Sequence, residues 1–457
     1  MAGIFKAYDI RGRYPDELDE EVAKRIGNAF AHLLGAKWIV VGRDMRLSSA
    51  ALAGAFAEGA ALAGADVADA GEVSTPLLNY AIGRGGFDGG AMVTASHLPG
   101  GMNGLKLAGR DAVPLSGDRG LPLLETMTGE EPVARWPAAG IHYRVDMLDD
   151  YIGKVAGFVR APKPIRIVVD AGNGMAGPEI PRLFARVPAW RLIPMYLEPD
   201  GRFPHHHANP LDPATTRELQ DRVVAEGADF GVAFDGDADR CGFIDERGER
   251  VREDLVTGLI AEFLLEGNPG ATVLYDLRSS RAVVEAIARA GGRGVRSRVG
   301  HAFIKTRMRE EDAVFAGELS GHYYYRDMGF TDNGLLTLVM VANIVAARGK
   351  PLSELIRPLD RYPSTGEINL QVGDPDRVFA ALEARYRDAD LDHLDGLTVG
   401  YPAWWFNIRR SHTEPVVRLN LEADTESLLD EKRQEVFGII REAEAGARVA
   451  GDRPTPI

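Results

Sequence analysis

The sequence predicts an α/β chain: three related mixed α/β-sheet domains followed by a smaller C-terminal α+β domain. Three observations carry that reading. At 457 residues the chain has room for roughly three to four domains of ~100–150 residues each. Three segments repeat one theme, in which an apolar β-branched run leads through a polar or glycine-rich turn into a helix-like stretch; short buried runs followed by helices are the pattern of α/β layers with mainly parallel strands. The C-terminal region abandons that theme for alternating runs and amphipathic stretches.

In chain order, the theme appears as KWIVVGRDMRLSSAALAGAFAEGAALAGA from Lys37, as PIRIVVDAGNGMAGPEIPRLF from Pro164 and as ATVLYDLRSSRAVVEAIARAGG from Ala271. Beyond these, RYPSTGEINLQV alternates as a strand does, DPDRVFAALEARYRDA reads as a helix, and WWFNIRRSHTEPVVRLNLEA reads as two strands around a loop. A last helix, TESLLDEKRQEVFGIIREAEA, opens on Thr425 as a candidate N-cap. Boundaries near HYRVDMLDDY, DERGERV and RPLDRYPS give domains at 1–144, 145–249, 250–361 and 362–457.

Composition narrows the function. The chain is 45% hydrophobic and 26% charged, as an ordinary soluble enzyme is, and its net charge of −14 argues against non-specific nucleic-acid binding. The N-terminus MAGIFKAYDIRG has no apolar core of a signal peptide, and no run of about 18 apolar residues stands out as a membrane span. Cys241 is the single cysteine, which excludes an internal disulfide; the expected location is the cytoplasm.

Four loops hold the chemistry. FGVAFDGDADRCGFID leaves an apolar run and presents Asp235, Asp237 and Asp239 at alternate positions, which on an extended backbone point to one side. Three converging carboxylates need a cation, and hard oxygen ligands select Mg²⁺ or Ca²⁺. An EF-hand register fails because Arg240 stands where the sharp turn needs glycine. VTASHLPGGMNG ends an apolar run in Ser96-His97 and opens a glycine-rich loop. If Ser96 is phosphorylated it becomes a metal ligand and a phosphoryl donor, with Lys106 and Arg240 nearby in sequence. The loop glycines would then give the backbone the path it needs to bring Ser96 to the metal. A Ser-His-Asp hydrolase fits poorly, since no G-x-S-x-G elbow is present.

GELSGHYY offers Glu318, Ser320 and His322 for neighbouring sugar hydroxyls, and IRRSHTEPVVRLN collects Arg409, Arg410, Ser411, His412, Thr413 and Arg418 as a phosphate cradle. The histidines of RFPHHHANP cannot all face one metal from an extended strand, so this segment reads as a surface or packing loop.

These segments, in this order, resemble the α-D-phosphohexomutase superfamily, most closely its bacterial phosphomannomutase/phosphoglucomutase branch. KAYDIRG, TASHLP, DGDADR, GELSGH and RRSHTEP match the family's motifs in register across almost the whole chain. The resemblance implies four domains around a central cleft and an enzyme that interconverts hexose 1-phosphate and hexose 6-phosphate, of mannose or glucose, through a phosphoserine and a 1,6-bisphosphate that turns end for end.

By motif, Ser96 would be the phosphorylated residue and Asp235, Asp237, Asp239 and phospho-Ser96 the Mg²⁺ ligands. Glu318 and Ser320 would read the sugar, His322 and Arg278 would also bind substrate, and Arg409, Ser411, His412, Thr413 and Arg418 would hold the non-reacting phosphate. Tyr8, Arg11, His97, Lys106, Arg240 and His301 match positions lining the reacting centre; His301, Lys106 and Arg11 are the acid–base candidates. Mg²⁺ and a hexose 1,6-bisphosphate activator are the implied cofactors. Sugar phosphates are the implied partners, without nucleic acid or membrane, for a monomer or small homo-oligomer.

The chain departs from the family pattern at Leu98 for Asn, Ala238 for Gly, His412 for Asn and Arg278 for Lys. Leu319 favours the mannose/glucose branch over phosphoglucosamine mutase. A non-catalytic sugar-phosphate binder and a Mg²⁺-dependent phosphatase are the readings of other classes.

Overall fold

The computed structural model describes residues 3–117, 119–133, 139–160, 162–410 and 416–451, with side chains to 444. Each segment that carries the repeated theme builds the same sheet. In the first, strand Trp38–Arg43, helix Ser49–Leu62, strand Asp66–Glu72, helix Thr75–Gly85 and strand Gly89–Val93 form a parallel core, and the chain then reverses into the antiparallel strand Met102–Gly109. The second repeats this through Ile165–Asp170, Trp190–Met195 and Phe230–Phe234, reversing into Cys241–Asp245. The third does so through Thr272–Asp276, Arg293–Ser297 and Phe315–Gly317, reversing into Tyr323–Tyr325. In all three the third strand lies between the first and the reversing strand.

The C-terminal domain is a five-stranded antiparallel sheet flanked by helices Pro375–Arg385 and Glu426–Gly451. Its central hairpin pairs Trp404–Arg410 with Val417–Ala423, and Thr425 Oγ1 accepts from Leu428 N at 3.3 Å, capping the last helix. Mixed α/β sheets with helices on their faces, followed by this smaller domain, are the architecture the apolar periodicity predicts.

Packing joins the first three domains and leaves the fourth separate. One apolar cluster runs from Leu77, Leu78 and Ile82 of the first domain through Ile167 and Val232 of the second to Leu336 and Val339 of the third. The helix Gly334–Arg348, apolar on all sides, sits at its centre, and Tyr151 donates to Asn333 Oδ1 across it at 3.1 Å. An all-round apolar helix of this kind is what a multi-domain core buries, and no helix among the described residues is long and apolar enough to cross a membrane. The fourth domain keeps its own core around Val399, Phe406, Leu419 and Leu421. It meets the third mainly through charge: Arg281 with Glu422 and Asp424, Arg278 with Glu367, and Val299 N donating to Asp395 Oδ2. Polar interfaces between domains permit relative motion more readily than apolar ones.

Glu179, on helix Ala176–Arg186, is 2% exposed, and burial pushes its carboxyl to about 8, with Ser74 opposing only in part. A carboxyl raised above its unfolded value contributes stability in full below that value, near 4.5, and loses it as pH rises toward 8. Glu179→Gln is therefore expected to flatten the decline of unfolding free energy between those limits, gaining about 2–4 kcal/mol at pH 8. Denaturant unfolding as a function of pH checks this; parallel profiles for the two proteins refute it.

Candidate active site

The functional loops predicted from sequence occupy one structural position. In each of the first three domains the loop joins the last parallel strand to the antiparallel strand that follows it: 94–101, 235–240 and 318–322. A parallel strand ends at the sheet's carboxyl edge, and reversing there delivers polar side chains to a point off that edge. The three domains turn these edges toward one another.

Ser96 is fully buried, with φ of 53°, a left-handed conformation uncommon outside glycine. Its backbone is held on both sides. Ser96 N donates to Thr94 Oγ1 at 2.8 Å, and the Ser96 carbonyl accepts from Arg46 at 2.8 Å. Arg46, with its side chain wholly buried, also donates to the carbonyls of Leu98 at 2.6 Å, Pro99 at 2.8 Å and Met102 at 3.0 Å. Asp44, equally buried, accepts from Arg46 Nε at 3.1 Å and from Ser49 Oγ at 2.5 Å, and Phe203 lies under the guanidinium at 5.2 Å. This glycine-rich loop is thus pinned by one fork. Arg46→Ala would leave buried carbonyls and the Asp44 charge unpaired, a loss of about 3–5 kcal/mol, and Lys, lacking the fork, would recover little. Denaturation midpoints of the two variants check both statements.

The glycine expectation needs correction. Gly100 and Gly101 are not at positive φ; the left-handed residue is Ser96 itself. The glycine that closeness demands is Gly236 on the opposite loop, where a Cβ would sit 2.6 Å from the Ser96 carbonyl oxygen.

The aspartate loop is not extended either. Ala238 N donates to the Asp235 carbonyl at 3.1 Å and Ala238 adopts φ of 61°, so the chain turns. The carboxylates converge by this turn rather than by strand alternation, and each of Asp235, Asp237 and Asp239 offers an oxygen within 4.8 Å of the others. Ala238 tolerates a conformation glycine would adopt without strain, at the position where the family pattern has Gly.

Ser96 Oγ donates to Asp235 Oδ2 at 2.6 Å, and Thr75 Oγ1 to Asp237 Oδ2 at 2.6 Å. Lys106 Nζ pairs with Asp237 at 2.6 Å and also with Asp239. Burial and mutual repulsion oppose ionisation of the three acids. Asp235 is pushed well above the usual carboxylate range, whereas the Lys106 ammonium outweighs burial at Asp237 and, with His322, at Asp239.

Around them stand the other expected residues. Arg240 N donates to Asp235 Oδ1 at 3.1 Å and its Nε lies 3.2 Å from His322 Nε2. His97 Nδ1 is 3.3 Å from Ser96 Oγ, and Arg240, burial, Arg11 and Lys106 keep its imidazole neutral. Arg11 donates to Asp9 Oδ2 at 2.8 Å and to the Thr94 carbonyl at 3.1 Å. Tyr8 packs edge-on against His301 at 5.3 Å, and burial, with Glu318 adding to it, raises its hydroxyl to about 12. Both ring nitrogens of His301 are buried without a hydrogen bond among the described residues, and burial suppresses its charge.

The loop expected to read the sugar is closed on itself. Glu318, 2% exposed, accepts from Gly300 N at 3.0 Å and from Tyr324 OH at 3.0 Å, and His322 Nδ1 lies 3.1 Å from Oε2 and 2.7 Å from Ser320 Oγ. Against the cost of burial, His322 and Arg278 hold Glu318 ionised.

Arg278 pairs with Asp276 at 2.7 Å and with Glu367 at 3.0 Å. Arg409 and Arg418 meet the same Glu367 carboxylate at 2.8 Å and 3.2 Å. Ser411, His412 and Thr413 lie outside the described residues. The histidines of 205–207 serve other ends: His206 Nε2 pairs with Asp170 at 2.9 Å and His205 stacks on Tyr196 at 3.8 Å.

Sequence reasoning missed Asp44, Arg46, Thr75 and Glu367. RDMR reads as a solvated turn and Glu367 as the polar phase of an alternating strand; only tertiary contact tells these from surface charge.

Family models describe the same parts. Models of the phosphoglucomutase/phosphomannomutase alpha/beta/alpha domains I, II and III match residues 2–132, 149–248 and 252–362, and the C-terminal domain model matches 367–439. A phosphomannomutase of Salmonella montevideo is 40% identical over 448 residues, covering 95% of this chain and 98% of its own. One from Escherichia coli strain K12 is 40% identical over 440 residues, covering 94% and 96%. The crystal structure of a phosphoglucomutase/phosphomannomutase family protein from Burkholderia thailandensis superposes with a TM-score of 0.89 at 35% identity, covering 97% and 98%. With the four-domain fold, these comparisons define a phosphohexose mutase, an intramolecular phosphotransferase. The chain belongs to the phosphoglucomutase/phosphomannomutase family.

Proposed function

We propose that the chain interconverts the 1- and 6-phosphates of mannose and glucose, with Ser96 as the phosphorylated residue. The observation that carries this reading is the 2.6 Å contact between Ser96 Oγ and Asp235, where loops of two domains meet. We assign the metal to Asp235, Asp237, Asp239 and phospho-Ser96, and its identity to Mg²⁺. The residues fit such an ion: all three acids are buried, and Asp237 Oδ1 accepts no hydrogen bond among the described residues. Oxygen-only donors of this kind suit a hard divalent cation. When bound, it supplies charge neutralisation for the transferring phosphoryl group.

The chain's own residues do the rest. The phosphoryl group leaves Ser96 Oγ as the P–Oγ bond breaks and a bond forms to the free sugar hydroxyl, whose proton must be taken up while the departing Ser96 Oγ gains one, so that the serine is released as its hydroxyl. His301 suits the uptake best. It is neutral, and its ring nitrogens have no hydrogen-bond partner among the described residues, while Lys106 is held protonated by its aspartates and Arg11 is bound to Asp9. Arg240 and Lys106 face the developing charge. Glu318 and Ser320 read hydroxyls that keep similar places in both orientations of the bisphosphate. Arg409 and Arg418, with Arg278 from the third domain, hold the distal phosphate. The boundaries expected from sequence mark the bodies that would close on it.

A phosphorus NMR time course tests the reading, using mannose 1-phosphate or glucose 1-phosphate with Mg²⁺ and a trace of hexose 1,6-bisphosphate. Signal should move to the 6-phosphate without inorganic phosphate. Accumulating inorganic phosphate would mean a phosphatase, and an unchanged spectrum with Ser96 phosphorylated would mean a binding protein.

A further inference from the structure

We propose that Glu367 is a positioning residue: an internal anion that assembles the distal phosphate cradle across the gap between the third and fourth domains before substrate arrives. The inference rests on the assignment of Arg278, Arg409 and Arg418 to that cradle.

One carboxylate gathers all three arginines. Glu367 Oε2 accepts from Arg278 at 3.0 Å and from Arg409 at 2.8 Å, and Oε1 pairs with Arg418 at 3.2 Å. The arginines come from different bodies. Arg278 follows strand Thr272–Asp276 of the third domain, whereas Arg409 and Arg418 face each other across the hairpin of the fourth, in register. The fourth domain's apolar core is separate from that of the other three. The distance between the two sets of guanidiniums therefore depends on polar ties, and Glu367 touches both sets.

Three like charges brought together repel unless an anion lies between them. The effect is visible at Arg409, which is 1% exposed and whose charge is opposed first by burial and then by Arg278. Without Glu367 the ligand-free cradle would splay, and a phosphate would have to collect the arginines as it bound. With Glu367 in place they are already converged. Arg409 Nε remains buried with no hydrogen-bond partner among the described residues.

Arg278 makes the tie possible. Its guanidinium engages Asp276 through Nε at 3.2 Å and Nη2 at 2.7 Å while Nη1 reaches Glu367, and Nη2 lies 3.6 Å from Glu318. A lysine has one nitrogen and no planar fork. It could not keep the two Asp276 bonds and the Glu367 bond in this geometry. The Arg278 departure and the Glu367 tie thus belong together, and they link the sugar-reading loop to the phosphate cradle through one side chain.

The test compares wild type, Glu367→Gln, Arg278→Lys and the double variant, with KM and kcat for glucose 1-phosphate measured separately and Ser96 phosphorylation matched by intact mass. Glu367→Gln should raise KM about tenfold with kcat within about threefold, since it alters the collection of substrate rather than the chemistry. Arg278→Lys should raise KM about threefold, and the double variant should fall short of the product of the two single effects, because either substitution already breaks the Arg278–Glu367 tie. A general loss of folded protein would lower kcat per total enzyme and leave KM alone, so the split separates positioning from stability. An unchanged or lower KM in Glu367→Gln overturns the proposal, as do multiplicative effects in the double variant. If Glu367→Gln does not fold, an unchanged KM in Arg278→Lys overturns it. A wild-type enzyme that fails to convert sugar phosphates would instead refute the cradle assignment itself.

Discussion

Ser96→Ala is expected to lower mutase turnover by about 10⁴-fold or more while leaving sugar-phosphate affinity within about threefold, since the substitution removes the covalent carrier and not the cradle. The physical reason is local. Ser96 Oγ is the hydroxyl donating to Asp235 at the meeting of the first two domains, and neither Thr94 nor Thr75 can take its place, each being committed to a bond of its own. Phosphorus NMR for turnover and isothermal titration for binding give the two numbers. Turnover within a hundredfold of wild type would mean that Ser96 is not the carrier. Lost affinity would mean that the loop helps hold the substrate.

Asp235→Asn should act in two opposite directions. In metal-free protein it removes the one acid of the triad that burial and its neighbours push well above the carboxylate range. The amide oxygen can still accept from Arg240 N, and its NH2 can donate to Ser96 Oγ once that hydroxyl turns to accept, so thermal stability should rise, by about 2 °C or more. With Mg²⁺ the order should reverse: wild type gains stability by mass action and the variant gains little. Turnover should fall by about 10³-fold or more, as it does when charge stabilisation at a transferring phosphoryl group is lost. Melting curves with and without Mg²⁺ decide the matter. A variant that is less stable without metal, or that keeps its metal-induced shift, would remove Asp235 from the site assigned to it.

The fold was readable because its signals are local. Each apolar β-branched run followed by a turn and a helix needs only neighbouring residues to be recognised, and Lys37, Pro164 and Ala271 each stand just before a first parallel strand. That Ser96 and the three aspartates come together was readable for a similar reason: a short run of one residue type at fixed spacing has few structural uses. How those side chains reach one point was not readable. The left-handed backbone falls on Ser96 and Ala238 instead of on Gly100 and Gly101, because the demand for it comes from the opposing loop, which lies far away in sequence. Arg46, Asp44 and Glu367 are charged residues in segments that look solvated. Their burial depends on which element covers them, and pairing partners 50 or more positions distant, as between Arg46 and the Ser96 carbonyl, leave no mark on a single sequence. Arg278 shows the converse. Its departure from the family pattern was visible, but its meaning required Glu367.

The shared hairpin position of the first three loops has a bearing on how such a site could arise. A unit that ends its parallel core by doubling back carries a polar turn at the same edge whatever residues fill it. Duplicating the unit twice and fusing the copies through one continuous apolar interior would bring three equivalent turns face to face at the outset. Divergence would then need only point changes: a hydroxyl in one copy, carboxylates in the second, a glutamate and a histidine in the third. The proposed division of labour among nucleophile, metal ligands and sugar reader is, on this view, specialisation among paralogous turns within a single polypeptide.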